Sequence, residues 1–327
     1  EPGPSDTIST HFIHPPGVAR LARWGLQGRL EATGCPPVER YSFDFGPITI
    51  AGSPRPTDGV AVAYGPRRTV LDKLLVDAAA EAGAEVHEGV AVEELLADGG
   101  RVSGIRARAG GGRALTAKAR VVIGADGRHS TVAKAVRPEQ YNARPPLQIG
   151  YYAYWSGLPV EGFETFVREG RGFAALPTHD DLTLVVVGWP YAQLQANRGD
   201  IEGNYVRALE LAPEFAERVR TASRESRFAG TAVSSYFRTP YGPGWALVGD
   251  AGYDKDPITA WGISDAFRDA ELATSALDQW LSGSRPFEDA MPDYQRLRDE
   301  QSLPMFELTC AFATMAPPPP EMQRLLA

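Results

Sequence analysis

The 327 residues are 43% hydrophobic and 23% charged, and 33 basic against 41 acidic side chains leave a net charge of −8. This composition excludes collagen-like and disordered classes, and the acidic balance argues against a phosphate-tracking nucleic-acid surface. Cys35 and Cys310 alone build neither a disulfide framework nor a zinc site, so both read as buried thiols, and the five histidines show no metal-ligand spacing. No apolar run approaches the roughly 20 residues of a spanning helix, and the start EPGPSDTIST lacks a signal-peptide layout, so a cytoplasmic location without a membrane span is expected. At this length two domains are expected.

In chain order, residues 15–34 carry Val18, Leu21, Ala22, Leu26 and Leu30 at helical spacing, which predicts one surface helix stopped by Gly34. Residues 69–83 are strong helix formers ending at Gly83. The alternating run AEVHEGVAVEELL, the turn DGGR, the run VSGIRAR and an extended piece after GGGR predict a three-stranded antiparallel meander. ARVVIGADG reads as a buried parallel strand, followed by a short helix capped by Ser130. Residues 147–189 turn aromatic and β-branched and predict an antiparallel sheet, which marks a second domain. Helices are predicted within 191–222, a strand at 228–237, an apolar strand in GWALVGDAG, and two long helices from Ser264 and Phe287, with PPPP at 317–320 ending the fold. In the first of these, Ala266, Phe267, Ala270, Ala273, Leu277 and Trp280 or Leu281 should face inward.

The stretch 245–274 is the most informative. A strand ends at Gly249–Asp250, a loop with Pro257 and Gly262 follows, and a helix opens at Ile263–Ser264. Such a junction leaves backbone N–H groups and a partial positive charge above the strand end, and an acidic residue there can accept from a sugar or ribityl hydroxyl. A Gly–Asp pair alone also fits any α/β protein. There is no GxSxG elbow, CxxC or Walker loop, and the pairs Asp180–Asp181 and Glu93–Glu94 read as solvated turns and faces. Tyr151, Tyr152, Tyr154, Trp155 and Trp189 either line a substrate pocket or form sheet core. His11 and His14 read as packing or solvent residues.

VVIGADGRHSTVAKAV (121–136) and ALVGDAGYDKDPITAWGISDAFRDAELA (246–273) resemble the Asp-Gly and Gly-Asp motifs of class A flavoprotein monooxygenases of the para-hydroxybenzoate hydroxylase type, in that family's order. YGPRRTVLDKLLVDAAAEAGAEV (64–86) and STHFIHPPGVARLARWGL (9–26) resemble two further segments, so the resemblance covers most of the chain outside 147–235. It implies an α/β fold with a discontinuous Rossmann-like FAD-binding domain (1–146 and 236–316), an antiparallel-sheet substrate domain (147–235), C-terminal helices and a tail (317–327). It also implies FAD as cofactor and NAD(P)H as reductant. Molecular oxygen would react through a flavin hydroperoxide to hydroxylate or epoxidise an aromatic or polyketide-like small molecule, in specialised metabolism.

Carried over position by position, the resemblance implies that Gly249 and Asp250 serve the ribityl side of FAD and that Pro257 shapes the loop beside the isoalloxazine. The N–H groups of Gly262 and Ile263 would face its pyrimidine oxygen, Arg68 and Asp126 would serve the cofactor, and Val92 would lend a backbone contact to adenine, or be a plain strand valine. No catalytic side chain is assigned, because the chemistry belongs to the cofactor. Two departures stand out. Tyr253 or Asp254 takes the place of a histidine common in the family, and the strand–GxGxxG–helix fingerprint is not among these residues, so a βα unit is expected ahead of Glu1. The competing reading is a flavin-free cyclase or ligand-binding protein on the same scaffold. Halogenation ranks low, since YWSGLP (154–159) only distantly echoes a halogenase string.

Overall fold

The structure, a computed structural model, describes residues 8–316. It opens on two helices, α1 (Pro15–Arg23) and α2 (Gln27–Glu31), where one was expected. The break is at Gly25, whose left-handed φ of 73° lets the N–H groups of Gly25 and Leu26 bond back to the carbonyls of Ala22 and Leu21. Four short strands follow: β1 (Pro37–Val38), β2 (Tyr41–Asp44), β3 (Thr49–Gly52) and β4 (Ala63–Tyr64). Helix α3 (Arg68–Glu81) is as expected and buries Leu71 and Leu74.

The meander forms as β5 (Val90–Asp98), β6 (Arg101–Ala109) and β7 (Ala114–Lys118), each antiparallel to the next. Its first strand starts six residues later than the alternation predicts, because Gly89 turns the chain at φ 66° and residues 84–88 stay exposed. Strand β8 (Val122–Gly124) precedes α4 (Thr131–Val136), whose cap is Ser130, its hydroxyl accepting from the Ala133 N–H at 2.9 Å. The short β9 (Gln140–Arg144) leads to the large sheet.

β10 (Gln148–Ser156), β11 (Phe163–Arg168), β12 (Arg171–Pro177) and β13 (Leu182–Pro190) make the antiparallel sheet that the aromatic segment predicts. The sheet has eight strands because β2 joins β11 in parallel and brings β3 with it, an extension that the short, half-polar runs at 41–52 do not announce. Helices α5 (Leu194–Asn197), α6 (Ile201–Leu209) and α7 (Pro213–Arg220) then cross over, and Tyr205, Ala208, Leu209 and Phe215 bury themselves against Ile149, Ala153, Trp155, Val185, Val187 and Trp189. Each such aromatic taken out of water contributes about 2–3 kcal/mol.

The single strand expected at 228–237 is two pieces. After β14 (Ser223–Arg224), β15 (Ala229–Thr231) stays on β10, whereas β16 (Ser235–Arg238) leaves for β9. β17 (Tyr241–Gly242) and β18 (Trp245–Leu247) form a hairpin, and β18 runs parallel to β8 as the paired apolar runs imply. Burial differs between the two: β18 is fully buried, but Ile123 on β8 is 46% exposed. β19 (Tyr253–Asp254) pairs with β16. The chain closes with α8 (Gly262–Leu281) and α9 (Phe287–Ala313), antiparallel partners around Ala273, Leu277, Ala290, Met291 and Tyr294. Cys35 and Cys310 are buried free thiols, and no helix of the described residues is long and apolar enough to cross a membrane.

The meander is fastened to the β17–β18 hairpin at Gly244. The Val102 N–H bonds to Pro243 O and the Val122 N–H to Gly244 O, each at 2.9 Å. Gly244 has φ 79°, and a Cβ on it would stand 2.0 Å from the Val102 carbonyl oxygen. Gly244→Ala is therefore expected to lose at least about 2 kcal/mol in urea unfolding, from positive-φ strain plus a backbone clash; an unchanged midpoint would mean that this junction is soft.

Candidate functional site

Beyond β18 the chain turns through Gly249 at φ 55°, where a Cβ would stand 3.2 Å from that of Ala266. Glycine thus lets the turn settle onto α8. Asp250 follows, half-buried in a recess, and burial raises its carboxyl while the charges of Arg128, Lys255 and Arg68 pull it down. Asp254 is also pushed up, by burial and then by the charge of Asp250. Arg128 reaches Asp254 Oδ2 at 3.8 Å and donates to Thr231 Oγ1 at 3.2 Å. It lies two residues after Asp126, so it joins the first motif to the second.

The loop beyond is built on Asp256, whose Oδ1 accepts from the Ile258 N–H at 3.0 Å and from Gln148 Nε2 at 2.7 Å. Pro257 opens a single 3₁₀ turn to Thr259, and Ala260 ends it at φ 55°. Trp261 then enters α8. The N–H groups of Gly262, Ile263 and Ser264 precede the first helical bond, which runs from Asp265 N–H to Trp261 O. His14 stacks on Trp261 at 4.7 Å. Its Nε2 faces the Thr259 carbonyl and its Nδ1 the Tyr41 hydroxyl, each at 3.0 Å, so the carbonyl selects the Nε2–H tautomer and Tyr41 donates to Nδ1. Burial lowers its pKa to about 4, which keeps the ring neutral.

Under the loop, Lys255 and Arg268 both bond Asp265, and Arg268 also bonds Asp269 at 2.8 Å, all buried. The apolar spacing of α8 marks Phe267, Ala273 and Leu277 as inward, as found, whereas Leu281 at the end of the helix is exposed because the chain turns away there at Gly283. It misses that Ser264, Asp265, Arg268 and Asp269 are buried on the same helix.

These residues fit FAD. Gly262 has nothing within 4 Å of where a Cβ would stand, which leaves open space at a helix N-terminus, and the buried Ser264 hydroxyl and Asp254 Oδ2 lack hydrogen-bond partners among the described residues. Of the residues singled out from sequence, Gly249, Asp250, Pro257, Gly262 and Ile263 share one turn and helix start, and Arg68 lies within electrostatic reach of Asp250 while holding Asp72 at 2.8 and 3.0 Å. The Asp126 carboxylate accepts from the Thr131 N–H at 2.6 Å, so its side chain caps α4. Val92, 37% exposed, sits opposite Ala107 in the meander rather than in this cluster. The aromatics divide: Tyr151, Trp155 and Trp189 pack toward α6 and α7, while Tyr152 and Tyr154 face Phe12 and Ala260. His11 is buried with its Nε2 on the Tyr154 hydroxyl. Arg128, Lys255, Asp265, Arg268 and Gln148 were not singled out, although all but Gln148 lie inside the two motif segments, 121–136 and 246–273.

A parallel strand pair ending in a Gly–Asp turn, a helix N-terminus beside it and an antiparallel sheet alongside define a flavoprotein of the class A monooxygenase type. Residues 10–300 match the FAD binding domain family, and the chain belongs to it. Tryptophan 2-halogenase of Chondromyces crocatus is 26% identical over 70% of this chain and 46% of its own length. Phenazine 1,6-dicarboxylic acid hydroxylase PhzS of Lysobacter antibioticus is 28% identical over 78% of this chain and 63% of its own. Digeranylgeranylglycerophospholipid reductase of Methanothrix thermoacetophila is 30% identical over 74% and 61%. The chain thus spans between 46% and 63% of the length of these relatives. In fold it is similar to the myxobacterial chondrochloren halogenase CndH, with TM-score 0.86 and 23% identity over 97% of this chain and 76% of that one. It is also similar to PqsL, a probable FAD-dependent monooxygenase of Pseudomonas aeruginosa, with TM-score 0.79 and 22% identity over 95% and 87%.

Asp256 supplies a pH test. Burial raises its carboxyl from 3.8 to about 6. Between those values the folded state binds more protons than the unfolded one, so stability falls as pH rises through the window, by up to about 3 kcal/mol for this group. Asp256→Asn, which keeps an acceptor for Ile258 and Gln148, is expected to be more stable than wild type at pH 8, with the gain fading toward pH 4. Urea melts at both pH values check this, and a gain that grows in acid would refute it.

Proposed function

We propose that this chain belongs to an NAD(P)H-using FAD-dependent monooxygenase that hydroxylates or epoxidises an aromatic or polyketide-like small molecule with molecular oxygen. The observation that carries this reading is the convergence of the Gly249–Asp250 turn with the open N-terminus of α8. The redox chemistry, hydride acceptance and oxygen activation, comes with FAD when it is bound. The protein's part is placement. Asp250 would accept from ribityl hydroxyls, Pro257 would hold the loop, and the N–H groups of Gly262 and Ile263 would favour negative charge developing beside them. Arg68 and Arg128 would set the local potential. Residues 1–146 and 236–316 would carry the cofactor and 147–235 the substrate, with β2 and β3 crossing over to widen the substrate sheet. The relatives named as a hydroxylase and a halogenase fit an aromatic substrate, and the solved complex of PqsL with 2-aminobenzoylacetate fits a small aromatic ketone acid.

The test is FAD titration followed by visible absorbance, with NAD(P)H oxidation and oxygen uptake measured on the loaded protein. Wild type should bind FAD and Asp250→Ala should bind it at least about tenfold more weakly at unchanged melting temperature, the loss of one hydrogen-bonding anion. A wild type that retains no flavin absorbance after free FAD is removed by gel filtration would overturn the reading in favour of a flavin-free ligand-binding protein.

A further inference from the structure

Helix α3 starts against its own electrostatics. Its N-cap is Arg67, which offers no capping side chain, and its first turn holds Arg68 and no acidic residue. Two guanidinium groups thus sit at the helix end that already carries partial positive charge, where anions are favoured. Both bear on the site, since the charge of Arg68 acts on Asp250 and the Arg67 guanidinium lies 4.1 Å from the centre of the Tyr154 ring. The hold on this start comes from outside the helix.

His179 supplies it. The residue is buried at the β12–β13 turn, and the Arg67 N–H donates to its Nδ1 at 3.1 Å. Nδ1 is therefore the acceptor and Nε2 carries the proton, which goes to Thr33 Oγ1 at 2.9 Å; the Thr33 hydroxyl in turn donates to the Leu30 carbonyl at 2.6 Å. One neutral ring thereby joins the large sheet to the end of α2 and the start of α3. The turn that carries it is strained. Asp180 and Asp181 take φ 62° and 54° in succession, a hairpin geometry that glycine and asparagine adopt at least cost, and the Leu182 N–H closes it on the His179 carbonyl at 3.2 Å. Two exposed aspartates held in this way mark a turn kept for what it positions.

We propose that His179 is a positioning residue: its neutral ring holds the start of α3, and so Arg67 and Arg68, in place, and a charge on the ring releases that start. A protonated Nδ1 cannot accept from the Arg67 N–H, and the imidazolium would be a third cation at one helix N-terminus. Burial lowers the pKa of the ring from 6.5, Asp180 in its own turn opposes this and Arg67 adds to it. The hold is therefore complete at neutral pH and is lost in acid, as the pH falls through the folded-state value. Around the partners of the ring, Arg68 is engaged by Asp72, Glu31 accepts from the Tyr64 hydroxyl at 3.2 Å, and the buried Cys35 thiol, pushed up to about 12, stays neutral. That the release reaches FAD, through the pull of Arg68 on Asp250, rests on the flavin reading above; the release itself does not.

The experiment is NMR on the whole chain, with hydrogen exchange of the Arg67 amide measured above and below the pH at which the His179 ring itself titrates. In wild type the protection of this amide should fall about tenfold across that midpoint, the loss of one hydrogen bond, while Leu74 further along α3 keeps its protection. His179→Asn, whose side-chain oxygen can take the place of Nδ1 and does not titrate, should keep the Arg67 amide protected on both sides. His179→Leu should leave it unprotected on both. Equal protection on the two sides in wild type, a fall that His179→Asn does not prevent, or protection that survives His179→Leu would each overturn the proposal, as would a ring that stays neutral until the protein unfolds. FAD titration of the same samples separates the two readings. Wild type should lose about tenfold more affinity than His179→Asn across the midpoint; FAD bound without that difference overturns the link to Asp250, and an Arg67 amide that responds as expected in a protein that binds no FAD sinks only the flavin assignment.

Discussion

The turn from Gly249 to Asp256 is held in place by cations buried beneath it, and the geometry of the site follows from them. Arg298 on α9 is fully buried and donates to the carbonyls of Gly252 and Arg238, to the Tyr141 hydroxyl and to Asp299. It pins the turn two residues past Asp250. Arg268 on α8 and Lys255 in the loop share Asp265, so the loop is tied to the first turn of the helix whose N–H groups it faces. Such networks are poor sources of stability: apolar replacements of a whole buried pair are often neutral or better, whereas removing one partner costs about 3–5 kcal/mol. What they provide here is fixed position, since each ion can satisfy its partners in only one arrangement.

The same charges set the electrostatics of the recess. Burial drives Asp250 and Asp254 toward their neutral forms, and Arg128, Lys255 and Arg68 oppose it at Asp250. Burial and the neighbouring Arg268 push Lys255 down while the surrounding aspartates pull it up. Burial and the neighbouring charges thus act in opposite senses on these groups, and a hydroxyl-rich ligand arriving at Asp250 would favour its carboxylate by donating to it. His14 stays out of the exchange. Neutral and bonded at both nitrogens, it serves as a rigid shelf for Trp261 at the entrance to α8.

Much of this was legible in the residues, where local chemistry and tertiary environment agree. The long helix at 69–83, the meander, the Ser130 cap, the two parallel apolar strands and the Gly249–Asp250 junction are signalled by propensity, alternation, capping and turn residues, and all form. The misses share a different cause. Gly25 ends a helix whose apolar spacing continues through it, because the left-handed cap outweighs the pattern. β2 and β3 join the large sheet through a parallel pairing between segments more than a hundred residues apart, which local alternation cannot register. The charges on α8 look like a solvated face until α9 and the loop supply buried counterparts. Of the site residues, those in the Gly-Asp turn were readable as a motif; Gln148 and Arg128 acquire meaning only from the partners that folding brings to them.

Strand β10 shows how one stretch of sequence meets two packing environments. Its odd-numbered residues Ile149, Tyr151, Ala153 and Trp155 pack under α6 and α7, where Trp155 Nε1 meets the Tyr205 hydroxyl at 3.3 Å. Its even-numbered residues, Gln148, Gly150, Tyr152 and Tyr154, look the other way, toward the loop that leads into α8. The two sets answer to different demands. The first is large, apolar and closely packed, and fixes the height of the sheet. The second grades from an amide and a glycine at one end to two tyrosines at the other, a sequence that core packing would not select. A one-residue slip of register would exchange the faces, so the aromatic core beneath the sheet is also what keeps the Gln148 end of β10 beside Asp256.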